Sequence, residues 1–472
     1  MKILFINPRI RDKVKPTTFP TGLGIIAAIM VQKGYDVDVY DENALRPTIL
    51  EMRRDLLRIK NVDIVALGGL ITIYHHIKNL VPKLREIFPS AKIILGGGIT
   101  VDPEVIFENI PVDFCVHGEA EHNFPELCVA IGEYKKEIMN IKGISYIDHN
   151  RDLIVTTESG QLGNDLDQFP MPAYEIFPTE IYFNNNVLKT VHPGMTSAKR
   201  CATLIWSRGC PYKCTYCWRM TGRNWRYRSV DLVMEEIKYL RTKYGVDSYL
   251  FYDECINANR DKTVEFATKL IERGLVAPWY SHARVNLFDE ELAKLLKRSG
   301  CVGLNFGIES GSPEILAEMK KRQTPDQASE AIRIAKAVNI RPVCTLMIGM
   351  PGETESTIQE SVKWIRENRV RHSSFFFVTP YPACELYLQP DTQARIINKY
   401  GTKDAFFSVL GDASELTINL TTFTDNKLLA LSRRASIKSV GRLRLFYYYL
   451  FHPRLWPIFM KKRIKRLFCR LD

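Results

Sequence analysis

Long apolar runs are missing from this chain. No stretch of its 472 residues approaches the roughly 20 apolar positions that cross a bilayer. The opening MKILFINPRI enters a strand-like segment at once, without the anatomy of a signal peptide. Together these features predict a cytoplasmic protein rather than a spanning or exported one. Internal repeats and low-complexity tracts are lacking too, which excludes solenoids and disordered tails as the main architecture. The eleven cysteines, read without a signal peptide, point to reduced thiols and metal rather than to a disulfide framework. Disorder is excluded by 46% hydrophobic and 11% aromatic residues against 25% charged ones.

What remains is a chain long enough for two or three domains. Its formal net charge is +12. Such a balance permits attraction to nucleic acid, phosphorylated ligands or anionic lipid and selects none of them. Much of the excess lies in GRLRLFYYYLFHPRLWPIFMKKRIKRLFCRLD, residues 441–472. The plain reading is a terminal helical part with a basic solvated face. The sharper reading is an amphipathic surface that touches a membrane or a lipid-like substrate. Pro453 and Pro457 would interrupt a long interfacial helix there.

Residues 1–135 alternate strand and helix by their hydrophobic pattern. KILFIN, DVDVYD, DIVALGG, KIILGGG and DFCVHGE read as strands, with helices such as GLGIIAAIMVQKG between them. Five such strands predict an α/β domain with a doubly wound, Rossmann-like parallel sheet. Ligands bind such sheets beyond the strand carboxyl ends. Pro8, Gly68, Gly69, Gly96, Gly97, Gly98 and Gly118, with Glu119 beside it, fall at those ends. Glycine there lets a backbone approach a large flat or phosphorylated ligand, although ordinary tight turns use glycine too. Residues 136–198 read as a linker: a small hairpin in GISYIDHNRDLIVTT, then the Pro-rich LDQFPMPAYEIFP, laid across a domain surface. From 199 to 390 the alternation resumes through ATLIWS, SYLFYD, YSHARV, VGLNFG, VCTLMIG and SSFFFVT. Six β/α units predict a partial (β/α)6 barrel, open rather than closed eight-fold. Residues 391–472 form a small, mostly helical region that caps a substrate or contacts a membrane.

The stretch RGCPYKCTYCWRM holds Cys210, Cys214 and Cys217 just after the first strand of the barrel-like part. Three thiolates can hold zinc with a fourth ligand, or an iron–sulfur cluster. Zinc sites usually pair two CxxC hooks or add a nearby His, and neither is present. The CxxxCxxC spacing, with Tyr216 before the third Cys, resembles the signature of the radical SAM superfamily, and the resemblance runs over residues 196–385. It implies a 4Fe–4S cluster on the three cysteines, with one iron open to S-adenosylmethionine. One electron from an external donor of flavodoxin or ferredoxin type then cleaves the sulfonium to a 5′-deoxyadenosyl radical. The same resemblance implies further contacts at strand ends. Asp253 and Glu254 follow the second strand, and Glu254 suits the S-adenosylmethionine ammonium, although the glycine pair that often precedes it is lacking. Arg284 suits the carboxylate, Glu309 the ribose hydroxyls, and Gly349 with Gly352 a loop near adenine. Surface or salt-bridge roles are the competing reading for each.

A doubly wound domain ahead of such a core resembles the cobalamin-binding radical SAM subgroup. PTGLGIIAAIMVQKGYDVDVYD, ILGGGIT and VDFCVHGEAEHNFPEL carry that likeness, which then covers residues 1–385. No DxHxxG sequence is present, so the resemblance implies cobalamin held without a protein imidazole below cobalt. His75 and His76 could approach the cofactor, against the plainer reading of a helix-start pair facing solvent. RNA-modifying methylthiotransferases hold a second cluster on three N-terminal cysteines; here only Cys115 and Cys128 are available. No nucleic-acid partner is therefore expected.

The leading expectation is a cobalamin-dependent radical SAM methyltransferase acting on an unactivated carbon or a phosphinate of a small-molecule or lipid-like substrate. A radical cyclase or ring-rearranging enzyme shares the same motifs, and a corrinoid- or metal-binding protein without turnover is the alternative of another class. Cys384, in TPYPACELY where the subgroup usually carries Gly-Thr, would donate a hydrogen atom or acidify a substrate proton. A small packed residue is the commoner fate of a lone Cys. Cys255 invites the same question. Tyr381, together with Tyr252, would line the substrate pocket, against core packing.

Overall fold

The computed structural model describes residues 1–11, 14–133, 137–160, 162–191, 198–370 and 375–440. The 441–472 segment, on which a membrane contact was expected, lies outside the described residues.

The first sheet is built on strands whose apolar runs are covered on both faces, as parallel strands require. They are β1 (Lys2–Asn7), β2 (Asp36–Asp41), β3 (Ile64–Gly68), β4 (Lys92–Gly96) and β5 (Phe114–Val116). Ile3, Leu4, Phe5 and Ile6 of β1 are buried, as befits the middle of a sheet ordered β2-β1-β3-β4-β5. That order reverses direction between β1 and β3, which opens a crevice at their carboxyl ends. The expected hairpin forms as β6 (Ile144–Asp148) and β7 (Leu153–Thr156), and it extends this sheet. β6 pairs antiparallel with β5, Val116 opposite Ile144, giving seven strands in all.

The rest of the 136–198 segment departs from the surface strap read in the sequence. Tyr174, Tyr182 and Phe183 are buried. Tyr182 donates its hydroxyl to Asp41 at the end of β2 (2.8 Å), and Tyr174 donates to Glu236 in the helix Val230–Tyr244 of the second domain (2.6 Å). The segment is an aromatic wedge shared by the two sheets. Its rings are too large and apolar to stay in water, and each phenol finds a carboxylate.

The second sheet is all parallel. Its strands are β8 (Cys201–Leu204), β11 (Ser248–Phe251), β12 (Trp279–Ala283), β13 (Cys301–Glu309), β14 (Arg341–Ile348) and β15 (Phe375–Phe377), paired in that order with β8 and β15 as free edges. Sequential order with a helix in each crossover curls the sheet one way, into an open (β/α)6 arc. Between β8 and β11 a two-stranded ribbon, β9 (Ser207–Arg208) and β10 (Arg226–Tyr227), pairs antiparallel.

The C-terminal region is helical as far as it is described, through Pro390–Tyr400, Lys403–Ser408 and Asp425–Val440. Lys403–Ser408 docks on the first domain. Tyr74 and Lys78 both donate to Asp404 (2.6 Å each), Lys403 pairs with Asp102 (2.8 Å), and Phe407 meets the Tyr74 ring edge-on at 5.6 Å. One apolar cluster joins Tyr74, Ile77 and Ile99 of the first domain to Cys384, Leu386 and Phe406. Among the described residues no helix is long and apolar enough to cross a membrane.

Candidate cluster and cofactor site

The site begins where β8 ends. Trp206 is fully buried and stacks on Phe266 with ring centroids 5.0 Å apart. Asp253, at the end of β11, grips the turn that follows. One of its oxygens accepts from Trp206 N (3.1 Å), Ser207 N (2.5 Å) and Ser207 Oγ (2.7 Å), while the other has no hydrogen-bond partner. Burial pushes this carboxyl up to about 7. The ribbon β9–β10 then pinches the base of a loop, residues 209–225. Gly209 stands at the pinch with φ +85°, where a Cβ would lie 2.2 Å from the Asn224 carbonyl oxygen. Only glycine fits there.

The three cysteines ride on this loop. Thr215 anchors it, its N–H donating to Met319 O (3.1 Å) and its carbonyl accepting from Leu386 N (2.9 Å). Cys217 N closes a turn on Cys214 O at 3.2 Å. Burial pushes the Cys217 thiol up to about 12; the charges of Cys214 and Cys210 add to this while Arg219 opposes it. The thiols therefore share one electrostatic neighbourhood, where a bound cation would reverse the shift. Among the described residues no three His, Cys, Asp or Glu side chains are gathered as ligands of a single metal ion. Three thiols on one short loop are a donor set that an iron–sulfur cluster can use.

Two aromatic residues of the loop tie it to the barrel. Tyr212 lies under Arg284, whose guanidinium carbon is 3.5 Å from the ring centroid, and its hydroxyl accepts from Asn286 (3.1 Å). Arg284 also donates to the Lys321 carbonyl. The Tyr216 hydroxyl meets Lys321 Nζ at 3.2 Å, and Lys321 pairs with Glu309 at 2.9 Å, both side chains buried. Burial, followed by the Glu309 charge, drives the Tyr216 phenol well above its ordinary value. Gly307 leaves room for this pair, since a Cβ there would stand 2.5 Å from Glu309 Oε1. Glu309 itself takes φ +65° at the end of β13. Glu254, at the end of β11, opens to solvent at the mouth and accepts from Thr221 Oγ1 (2.7 Å). The protein around it raises its pKa by withdrawing water, with Thr221 and Arg219 opposing. Gly349, with φ +103° after β14, donates its N–H to Glu353 (2.5 Å), and Gly352 follows at φ +79°.

Glu254, Arg284 and Glu309 thus converge on the cysteine loop. Cys384 and Tyr381 are engaged elsewhere. Cys384 is fully buried, its sulfur accepting from Tyr387 N (3.3 Å), and burial pushes the thiol up to about 11. Such a thiol is not acidified. Tyr381 gives its hydroxyl to Gly411 O (2.5 Å). Cys255 is buried against Asn257 (3.4 Å) with its thiol pushed up to about 12. Tyr252 is 52% exposed at the end of β11, edge-on to His282, so it lines the open face rather than the core.

On the first domain, Gly68 and Gly69 abut Gly96 and Gly97 backbone to backbone: a Cβ on Gly68 would stand 2.7 Å from Gly96 O, and one on Gly97 3.0 Å from Gly69 O. These four glycines bring the backbones at the ends of β3 and β4 together, with the Ile73 side chain against Gly69 and Leu70 47% exposed beside them. Gly118 is exposed at the end of β5 with open space around it. Such a surface suits a broad corrin ring. Gly98 faces the cysteine loop, where Trp218 and Met220 lie against it. Glu119 is committed elsewhere, pairing with both guanidinium nitrogens of Arg226 at 2.7 Å. His76 does not face solvent freely but bonds to the buried Glu42 at 2.7 Å, whereas His75 is exposed and caps Asn79.

Sequence reasoning missed Lys321, Thr221, Arg226, Arg208, Glu121 and Glu353. Lys321 and Arg226 sit in basic stretches that look like solvated surface, so no local signal marks them, whereas Arg208 opens the RGCPYKCTYCWRM stretch and could have been found from that place. Glu353 could have been found from its place in MIGMPGET, one residue past the loop glycines.

Two family descriptions match the chain. The Radical SAM superfamily covers residues 204–365 and the B12 binding domain residues 9–128. The chain carries a radical SAM domain and, ahead of it, a B12 binding domain. This pair of domains calls for a 4Fe–4S cluster, S-adenosylmethionine and cobalamin as cofactors. It is 29% identical to an uncharacterized methyltransferase of Pyrococcus horikoshii over 82% of both chains. It is 26% identical to the anaerobic magnesium-protoporphyrin IX monomethyl ester cyclase of Rubrivivax gelatinosus, over 82% of this chain and 69% of that one. The fold is that of the radical S-adenosylmethionine methyltransferase TsrM from Kitasatospora setae, seen with tryptophan substrate and aza-SAM. The TM-score is 0.67 at 18% identity, over 82% of this chain and 75% of that chain.

Proposed function

We propose that this chain is a cobalamin-dependent radical SAM methyltransferase that acts on an unactivated carbon or a phosphinate of a small-molecule substrate. The observation that carries the reading is the meeting of two sets of strand ends, with Trp218 of the cysteine loop against Gly98 of the B12 binding domain. When bound, the cluster and S-adenosylmethionine supply a 5′-deoxyadenosyl radical and cobalamin supplies the methyl group. The chain's own residues do the holding. Cys210, Cys214 and Cys217 hold the cluster. Glu254 takes the S-adenosylmethionine ammonium, Arg284 its carboxylate, Glu309 the ribose hydroxyls, and the Gly349 loop the adenine edge. The glycines Gly68, Gly69, Gly96 and Gly97, with Gly118, hold cobalamin. Lys321 holds Glu309 in place through their buried ion pair at 2.9 Å. The C-terminal cap over the first domain excludes water from the junction, which protects a radical.

The protein works in the cytoplasm with an external flavodoxin- or ferredoxin-type electron donor. Its 441–472 segment contacts membranes or lipid-like substrate, and equal liposome flotation with and without that segment would remove this part of the reading. Ring closure is the second reading, favoured by the likeness to the Rubrivivax cyclase. Anaerobic reconstitution with iron, sulfide and cobalamin, followed by product mass, separates the two: methyl transfer adds one methyl and consumes two S-adenosylmethionine per turnover. Absence of 5′-deoxyadenosine under every reductant would leave a binding protein without turnover.

A further inference from the structure

Arg226 bridges the two domains through its guanidinium group. It stands in β10, 5% exposed. Nη1 donates to Glu119 Oε2 and to the Gly163 carbonyl, both at 2.7 Å. Nη2 donates to Glu119 Oε1 (2.7 Å) and to the Thr221 carbonyl (2.8 Å). One guanidinium thus joins the loop after β5, the aromatic connector and the cysteine loop. Arg208 reinforces it from the paired strand of the ribbon, reaching Glu119 at 3.3 Å and Glu121 at 2.6 Å. Two arginines and two glutamates balance in charge, all four side chains 13% exposed or less.

Thr221 carries the connection onward. Its hydroxyl accepts from Gly209 N (3.0 Å), at the pinch of the cysteine loop, and donates to Glu254 Oε1 (2.7 Å). The line Glu119–Arg226–Thr221–Glu254 therefore runs from the loop after β5 to the carboxylate beside the cysteines. A bidentate Arg–carboxylate pair fixes both planes, which a lysine point charge does not.

We infer that Arg226 is a positioning residue that sets the register of the cysteine loop and Glu254 against the B12 binding domain, acting through Thr221. The inference rests on the proposed function and adds to it a coupling between the two cofactor sites. If Glu254 is oriented from the first domain, a looser Arg226 lets S-adenosylmethionine bind and cleave out of step with methyl transfer.

The test uses the full chain loaded anaerobically with cluster and cobalamin, comparing wild type with Arg226→Lys, Thr221→Val and Thr221→Ser. Three quantities are read: the change in the electron paramagnetic resonance signal of the reduced cluster on adding S-adenosylmethionine, the Kd for S-adenosylmethionine, and 5′-deoxyadenosine formed per methyl transferred. With iron and cobalamin content unchanged, Thr221→Val raises Kd about tenfold, the worth of one hydrogen bond to a charged group. Thr221→Ser restores it. Arg226→Lys blunts the spectral change and raises the 5′-deoxyadenosine ratio several-fold. Wild-type spectra, Kd and ratio in Thr221→Val overturn the inference, as does a loss that merely follows the fraction of loaded protein. Should Arg226→Lys fail to fold, Glu119→Gln, which loosens the same guanidinium from the first domain, takes its place and is read in the same way. The spectral change and Kd do not depend on product, so failure of methyl transfer sinks the proposed function without touching this result.

Discussion

Trp218 lies against the backbone of Gly98, so closely that a Cβ on that glycine would stand 2.4 Å from the indole and 2.4 Å from Met220 Sδ. The first domain and the cysteine loop touch at this point. Gly98→Ala is expected to push the loop off the first domain and to cost about 1–3 kcal/mol of stability. Thermal unfolding of the anaerobic protein measures the cost. Adding Trp218→Ala should recover part of it, because the indole no longer meets the new methyl and Met220 Sδ lies near the end of a flexible side chain that can turn aside. Two additive losses would show that the contact is not the cause.

The buried Lys321–Glu309 pair gives a second test. Lys321→Met leaves a buried carboxylate without its cation and should destabilise by about 3–5 kcal/mol. Lys321→Met combined with Glu309→Gln should cost clearly less than Lys321→Met alone, a coupling that a double-mutant cycle in denaturant measures. Both variants should also weaken S-adenosylmethionine binding.

Glu353 carries a pH dependence. Burial raises its carboxyl from 4.5 to about 7. An acid whose folded pKa is raised contributes stability that is full below its unfolded pKa and is lost as pH rises through the folded one. From about pH 6 to about pH 8 this loss amounts to about 1.4 kcal/mol. Glu353→Gln keeps an acceptor for Gly349 N and removes the titration. Its unfolding midpoint should therefore fall less over that range than the wild type's. Parallel curves would refute the assignment.

Cys384→Ala and Tyr381→Phe should both keep S-adenosylmethionine cleavage at wild-type rates. Cys384→Ala should cost about 1 kcal/mol of stability. A drop of cleavage or product by orders of magnitude, with cluster and cobalamin retained, would return Cys384 to the chemistry.

All eleven parallel strands of the two sheets were legible in the sequence, because buried parallel strands such as KILFIN and SYLFYD write themselves as short apolar runs between helical periods. The cysteine trio was legible from spacing alone. The connector was misread as surface because PMPAYEIFP has the composition of a loop, and only the partners of Tyr174 and Tyr182, 62 and 141 residues away, show that it is a wedge. Lys321 and Arg226 were invisible for a related reason. A buried ion pair is defined by two residues distant in sequence, and Glu119 and Arg226 are 107 positions apart. Cys384 is the reverse case: the sequence leaves it open between a reactive thiol and a small packed residue, and its sulfur is fully buried, accepting from Tyr387 N.

Residues 403–408 come late in the chain, yet they dock on helices of the domain that comes first, through Asp404 on Tyr74 and Lys403 on Asp102. A ribosome therefore releases the B12 binding domain before the helix that buttresses its flank has been made. The domain must hold its fold alone through that interval, and the late helix then clamps an early part of the chain to one synthesised 301 to 330 residues afterwards.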